Sequence, residues 1–117
     1  MSTTTIADLT DLVLKFVHER DWKQFHNAKD MAVSLTLEAA EVLELTQWKN
    51  GAELEAHMAA SVEELGDELA DVLFWVLEMS HHFKIDLGEA FRIKMAKNAA
   101  KYPVAKFKGQ AKKYTEL

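Results

Sequence analysis

Residues 61–83, SVEELGDELADVLFWVLEMSHHF, decide the fold of this chain. Apolar residues recur along the stretch at helical spacing, which predicts one long helix ending at about Phe83. Ser61-x-x-Glu64 predicts a capping box at its N-terminus. Inside the helix, Glu68 and Asp71 stand at i,i+3 spacing, so both carboxylates lie on the same side. The fold is therefore expected to centre on a long helix that carries an acidic pair.

A second acidic pair, Glu38-x-x-Glu41, lies upstream in another stretch of helix-forming residues. This helix is predicted to begin after Asn27 and to continue to Trp48, where Asn50-Gly51 ends it. Glu38 interrupts the apolar seam of this helix, as Glu68 interrupts the seam of the other. Because leaving a buried carboxylate unpaired costs on the order of several kcal/mol, such interruptions require a compensating cation.

Two kinds of cation could compensate the acidic pairs. Buried salt bridges are one alternative, but the two helices offer only Lys29 and Lys49, both near the ends of the second helix. Ligation by carboxylate oxygens alone favours a hard divalent ion, Mg²⁺ or Mn²⁺, recruited together with substrate phosphates. The sequence therefore predicts that Glu38, Glu41, Glu68 and Asp71 bind a metal ion.

Two further helices flank these. The first is predicted from about Ile6 to Arg20, with Thr5 as its N-cap. The last opens at Asp86-x-x-Glu89 and ends near Tyr102-Pro103. Residues 51–60 form a connection whose structure the pattern leaves open, and residues 104–117 are predicted to be an extended tail. Since no strand alternation is visible, we predict a single all-α domain over residues 1–117, a four-helix antiparallel bundle.

Composition bounds the class of protein. A chain of 117 residues with 49% hydrophobic residues predicts one folded domain. Cysteine is absent, which excludes disulfides, thiolate metal sites and cysteine nucleophiles and is compatible with a reducing cytoplasm. Residues 1–5 show no secretory signal, and no apolar run approaches the length of a membrane span. We therefore expect a cytoplasmic protein that does not bind a membrane.

Charge is distributed unevenly along the chain. Ten acidic residues and a single lysine lie between Glu38 and Asp71, whereas nine basic and three acidic residues lie from Lys84 to the end. An acidic metal centre combined with a basic C-terminal third suits a metal-chelated polyphosphate. The net charge of −5 argues against nucleic acid as a partner.

The motifs resemble those of a known family. Glu38-x-x-Glu41, a spacer and Glu68-x-x-Asp71 resemble the motif of MazG-type all-α nucleoside triphosphate pyrophosphohydrolases. Further segments resemble the dCTP pyrophosphatase branch of these enzymes: residues 20–26 (RDWKQFH), 47–49 (QWK), 94–103 (KMAKNAAKYP) and 113–117 (KYTEL). The resemblance covers roughly residues 6 to 117. Where dCTP-preferring relatives carry a tyrosine one turn after the second acidic pair, this chain has Trp75.

The resemblance implies an activity and a set of site residues. The implied reaction is hydrolysis of a (deoxy)nucleoside triphosphate, dCTP or a related pyrimidine nucleotide, to the monophosphate and pyrophosphate, in nucleotide-pool house-cleaning. The four carboxylates would coordinate Mg²⁺ bridging the phosphates. The implied substrate-binding residues are Trp22, Trp48 and His26 around the base, Trp75 beside them, and Lys94, Asn98 and Tyr102 on phosphate or sugar oxygens.

Alternatives remain open at the level of sequence. Trp48 and Trp75 could be core residues, and Lys94 and Asn98 could form a solvated face. A non-catalytic helical interaction module with an acidic metal-binding face is the alternative function. A phosphohydrolase of the HD type is disfavoured, because neither His81 nor His82 precedes an aspartate.

Assembly is suggested by the long central helix, which is apolar on at least two sides. A helix that is apolar nearly all round is buried all round, and in so short a chain a second subunit would have to cover it. We therefore predict a homo-oligomer, either a tetramer made of paired dimers or a dimer.

Overall fold

A computed structural model describes residues 2–116, and within that range the chain is helical and contains no strand. The helices, in chain order, are α1 Ile6–Glu19, α2 Ala28–Glu44, α3 Gly51–Ala60, α4 Val62–His82, α5 Leu87–Lys101 and α6 Val104–Phe107. Short 3-10 turns occupy Lys23–Phe25 and Tyr114–Glu116. The predicted all-α class is confirmed.

The chain forms two compact units divided between Lys84 and Ile85, so α1–α4 form one unit and α5 and α6 belong to the other. In the first unit, α4 is the central helix and contacts α1, α2 and α3. His26, just before α2, contacts Glu78 late in α4, whereas Glu38 lies beside Asp71. These contacts show that α2 and α4 are antiparallel, as predicted.

Three helices begin where the sequence predicts, because their N-caps are made. The Thr5 hydroxyl accepts a hydrogen bond from the backbone N–H of Asp8 at 3.1 Å, and the Asp8 carboxylate accepts one from the N–H of Thr5 at 3.0 Å. The Asn27 side chain caps α2 and the Asp86 side chain caps α5, each by accepting an N–H three residues later. Each cap satisfies N–H groups that have no partner inside the helix.

The end of α2 differs from the prediction. The helix ends at Glu44 rather than Trp48, and residues 45–48 form turns. Trp48 adopts a left-handed backbone conformation with a φ of 67°, which a bulky side chain rarely takes. A residue in this conformation cannot continue an α-helix. The helical propensity of residues 45–48 was therefore a misleading signal.

The connection after α2 also differs. Residues 51–60, left open by the sequence pattern, form α3. The predicted capping box at Ser61 is wrong: Ser61 ends α3 and precedes α4 with φ −112° and ψ 22°, and its side chain makes no capping hydrogen bond. An N-cap side chain reaches the helix when its own backbone is extended, and that of Ser61 is not.

The apolar surface is only partly covered within the described residues. Val13, Val17, Met31 and Leu77 are buried. Leu69, on the central helix α4, is 52% exposed. Residues 104–117, for which an extended tail is expected, contain α6 and the second 3-10 turn. No helix among the described residues is both long and apolar enough to cross a membrane.

Candidate functional site

The two acidic pairs meet at the contact between α2 and α4. One oxygen from each of Glu38, Glu41, Glu68 and Asp71 can be chosen so that all four lie within 4.8 Å of one another. The antiparallel helices create this arrangement, since each presents two carboxylates one turn apart toward the other. The structure thus brings together the four residues that the sequence predicts as metal ligands.

The burial of these carboxylates fits a cation. Glu38 and Glu68 are half-buried, and Glu41 and Asp71 are exposed. The Oε2 atoms of Glu38 and Glu68 are buried, and neither has a hydrogen-bond partner among the described residues. The ion pairs found within residues 2–116 involve other carboxylates, so the salt-bridge alternative has no support there. Buried carboxylate oxygens without donors are suitable ligands for a hard divalent ion.

Crowding of the carboxylates changes their acidity. The pKa of Glu68 is raised to about 7, first because its protonated form can donate a hydrogen bond to Glu41, then through burial and repulsion from the other three carboxylates. The pKa of Glu38 is also raised, mainly through burial and then through the negative charges of Glu41 and Asp71. A cluster that resists full ionisation by itself is stabilised when a divalent cation neutralises it.

An open cavity of about 420 Å³ lies directly beside the acidic cluster, and Glu38 and Asp71 form part of its wall. The rest of the lining is apolar or aromatic and comes from α1, the segment that follows it, and α4: Leu12, Val13, Phe16, Trp22, Phe74 and Trp75. This volume falls within the range of small-molecule sites, about 300–1,000 Å³. A ligand here could place an apolar or aromatic part in the cavity and a charged part at the carboxylates.

Aromatic rings along this wall contact one another edge to face. Trp22 packs on Phe16 with ring centroids 5.6 Å apart, and Phe16 packs on Phe74 at 5.8 Å. Phe74 in turn packs on Trp75 at 5.1 Å. Such contacts fix ring orientation. Trp22 and Trp75, predicted as substrate-binding residues, therefore belong to one continuous wall.

His26 lies outside the lining of this cavity. Its ring packs edge to face on Trp75 with centroids 5.2 Å apart, and its Nδ1 is 3.1 Å from Oε1 of Glu78. Both side chains of this pair are buried. The structure thus places His26 against a cavity residue and beside a carboxylate that the sequence analysis did not select.

Trp48 is not brought to the cavity and is not a core residue. Its side chain is 88% exposed. The structure contradicts the core alternative for Trp48, while Trp75 is half-buried and lines the cavity. The predicted role of Trp48 in substrate binding stays a prediction.

The remaining predicted residues belong to the second unit. Lys94 is exposed on α5, Asn98 is half-buried on the same helix, and Tyr102 follows its last residue. Tyr102 packs edge to face on Phe107 at 4.9 Å and on Tyr114 at 6.0 Å, and these contacts order the C-terminal segment. Their predicted contacts with phosphate or sugar stay a prediction.

Sequence reasoning missed part of the site. Phe16 and Phe74 line the cavity, although their helical spacing indicates only an apolar face. The sequence analysis assigns no role to Glu78, which lies between Leu77 and Met79. The one available signal was its place in the most apolar stretch of the chain.

Fold and site together define an all-α protein with a cluster of four carboxylates beside an aromatic cavity. Residues 33–117 match the model of the MazG-like family. The chain is 37% identical to rat (Rattus norvegicus) dCTP pyrophosphatase 1 over 115 residues, covering 97% of this chain and 68% of that protein. It is 35% identical to the human (Homo sapiens) dCTP pyrophosphatase 1, with the same coverage.

A solved structure shows the same fold. The crystal structure of a pyrophosphatase from Archaeoglobus fulgidus DSM 4304 superposes with a TM-score of 0.80 and 34% identity, covering 88% of this chain and 96% of that one. The chain belongs to the MazG-like family. The predicted class of enzyme, a nucleoside triphosphate pyrophosphohydrolase, is thereby confirmed.

Proposed function

We propose that this chain hydrolyses a pyrimidine deoxynucleoside triphosphate, with dCTP as the first candidate, to the monophosphate and pyrophosphate, and that it requires Mg²⁺. One observation carries the proposal: an apolar, aromatic cavity opens directly onto four converging carboxylates. The choice of cytosine as the base and deoxyribose as the sugar is based on the relatives named dCTP pyrophosphatase 1. Removing this nucleotide from the pool before a polymerase uses it would be a house-cleaning role.

The metal would be held by Glu38, Glu41, Glu68 and Asp71. Their donor set consists only of carboxylate oxygens, which Mg²⁺ prefers and Mn²⁺ accepts. When bound, such an ion neutralises phosphate charge and makes a bound water a better nucleophile. The carboxylates orient it, because the two helices fix them at the contact between α2 and α4.

The aromatic wall would bind the base. Stacking of a base on an aromatic side chain contributes about 1–3 kcal/mol. Trp22 and Trp75 are positioned for this, and Trp22 keeps 42% of its surface exposed. With the base against this wall, the triphosphate would extend toward Glu38 and Asp71. Attack at the α-phosphorus would then release pyrophosphate.

The role of the second unit follows from the family resemblance. Lys94, Asn98 and Tyr102 would bind phosphate or sugar oxygens. The resemblance also implies roles for two residues of the first unit: His26 would lie near the base, and Trp48 would contribute to enclosing it. Lys94 and Asn98 share a face of α5 at i,i+4 spacing, which permits simultaneous contacts with one ligand.

Assembly as a homo-oligomer is supported by exposed apolar side chains on several helices. Leu12, Leu37, Leu43 and Leu69 are each more than half exposed in the single chain. Such surface commonly marks a subunit interface. A tetramer of paired dimers, or a dimer, would cover it, and the exposed Trp48 could then reach a neighbouring base pocket. A cytoplasmic location stays a prediction of the sequence.

Product analysis tests the reaction. Purified protein is incubated with each deoxynucleoside and ribonucleoside triphosphate and Mg²⁺, and the products are separated. We expect the monophosphate and pyrophosphate in equal amounts from a pyrimidine deoxynucleotide, and no turnover with EDTA. Formation of a diphosphate and inorganic phosphate would contradict attack at the α-phosphorus. Absence of turnover with every nucleotide would favour the non-catalytic interaction module.

A further inference from the structure

We infer that Glu78 is a positioning residue for the base pocket: it holds His26, and His26 holds the cavity wall residue Trp75. The inference rests on the proposed function, because it assigns a role within the same site. It concerns a residue that neither lines the cavity nor touches the acidic cluster. Its influence on the substrate must therefore pass through other side chains.

The first step is the buried polar pair. Glu78 is 3% exposed, and its Oε1 lies 3.1 Å from His26 Nδ1. Since a carboxylate oxygen can only accept, Nδ1 carries the hydrogen and donates it. This bond joins two segments that are 52 residues apart, the end of the α1–α2 connection and the C-terminal half of α4.

The second step is the ring contact that the pair orients. Because the hydrogen bond to Glu78 fixes Nδ1, the imidazole ring of His26 can no longer rotate freely. Its edge-to-face contact with Trp75, at an angle of 69° between the two ring planes, is therefore retained. Trp75 is also one of the residues that line the cavity. Glu78 therefore contacts His26, and His26 contacts Trp75, which is the residue on which the base is proposed to stack.

The third step concerns the other tryptophan. His26 directly follows the 3-10 turn Lys23–Phe25, which begins after Trp22, and its own N–H donates to the Lys23 carbonyl at 3.0 Å. Fixing His26 to α4 therefore also fixes the short segment that carries Trp22. One buried pair constrains both tryptophans of the pocket, which approach it from different parts of the fold.

Stability does not explain this pair. The second oxygen of Glu78, Oε2, is buried and has no hydrogen-bond partner among the described residues. Glu78 is also among the residues that line a second cavity of about 380 Å³, together with His18 and Lys23. A buried hydrogen-bonded pair that leaves one carboxylate oxygen without a partner adds little to stability, because replacing both partners by apolar groups can be neutral or stabilising. In this fold the pair instead specifies geometry, by orienting Trp75.

Kinetics of three variants test the inference. Glu78→Leu should raise KM for the preferred nucleotide about tenfold, the loss expected for one hydrogen bond to a charged group, with kcat changed less than twofold. Glu78→Gln, which keeps an acceptor for Nδ1, should restore KM to within about twofold. Glu63→Leu, an exposed glutamate on the same helix, is the matched control and should leave both constants unchanged.

An unchanged KM in Glu78→Leu, or an equal rise of KM in Glu78→Gln, would overturn the inference. A loss of kcat at constant KM would do the same, because it would place Glu78 in the chemical step rather than in base binding.

Spectroscopy of the unmodified protein keeps the inference testable if Glu78→Leu does not fold. The tryptophan indole N–H resonances are assigned with Trp22→Phe and Trp48→Phe, which leave Trp75. We expect the His26 imidazole to be protonated at Nδ1 and to show a nuclear Overhauser contact with the Trp75 ring. A His26 tautomer with hydrogen only on Nε2, or no contact with Trp75, would overturn the inference. These readouts need no turnover, so they separate its failure from failure of the proposed function.

Discussion

Replacing Glu38 by glutamine should stabilise the metal-free protein while abolishing metal-dependent turnover. The carboxylate oxygens of the cluster lie within 4.8 Å of one another, and Glu41 and Asp71 are the charges that act on Glu38. At that separation one pair of like charges repels by about 0.9 kcal/mol even with the dielectric constant of water. Glu68, whose pKa is raised to about 7, carries only part of its charge at neutral pH and adds less.

Removing two such repulsions, less the effect of salt screening, gives a stabilisation of roughly 1–2 kcal/mol. For a chain of this size that corresponds to a rise in Tm of about 4–8 °C. The assay is thermal unfolding in EDTA for the parent and Glu38→Gln. Glu55→Gln on α3 is the matched control, an exposed glutamate that should shift Tm by less than about 1 °C.

Adding Mg²⁺ should reverse the order of stability, because the parent has four ligands and the variant has three carboxylates. A parent protein saturated at a hundred times its Kd would gain about 2.7 kcal/mol. A fall in the metal-free Tm of Glu38→Gln would refute the reasoning, since it would show that the carboxylate is held by a favourable partner rather than strained.

Two further outcomes follow from the same structure. Because the folded-state pKa of Glu68 is raised from an ordinary value of 4.5 to about 7, its contribution to stability is fully present below about pH 4.5 and is lost as the pH rises through 7. In EDTA the Tm should therefore fall between about pH 5.5 and 8, and saturating Mg²⁺ should remove this loss. A metal-free Tm that rises over the same interval would contradict the assignment. Light scattering at micromolar concentration should give about two or four times the chain mass of 13.3 kDa, and a fully active monomer would exclude the proposed assembly.

The amino-acid sequence by itself determined where three helices begin and which face of its helix each acidic pair occupies. Helix starts at Thr5, Asn27 and Asp86 depend on contacts within four residues, so local chemistry decides them. The i,i+3 spacing of Glu38 with Glu41, and of Glu68 with Asp71, likewise fixes each acidic pair to one helix face. The predictions for Trp48 and Ser61 were wrong, because the backbone at these residues adopts conformations that helical propensity and the capping-box motif do not indicate.

Only the tertiary structure decided which side chains meet. The antiparallel contact of α2 and α4 brings the two acidic pairs within reach of one ion, although about thirty residues separate them in the sequence. The same packing places Phe16 and Phe74 on the cavity and joins His26 to Glu78. Periodicity shows that a residue faces the interior, but it does not show which residue lies opposite. That choice is made by the packing of distant segments, since contacts across the core depend on how whole helices are arranged.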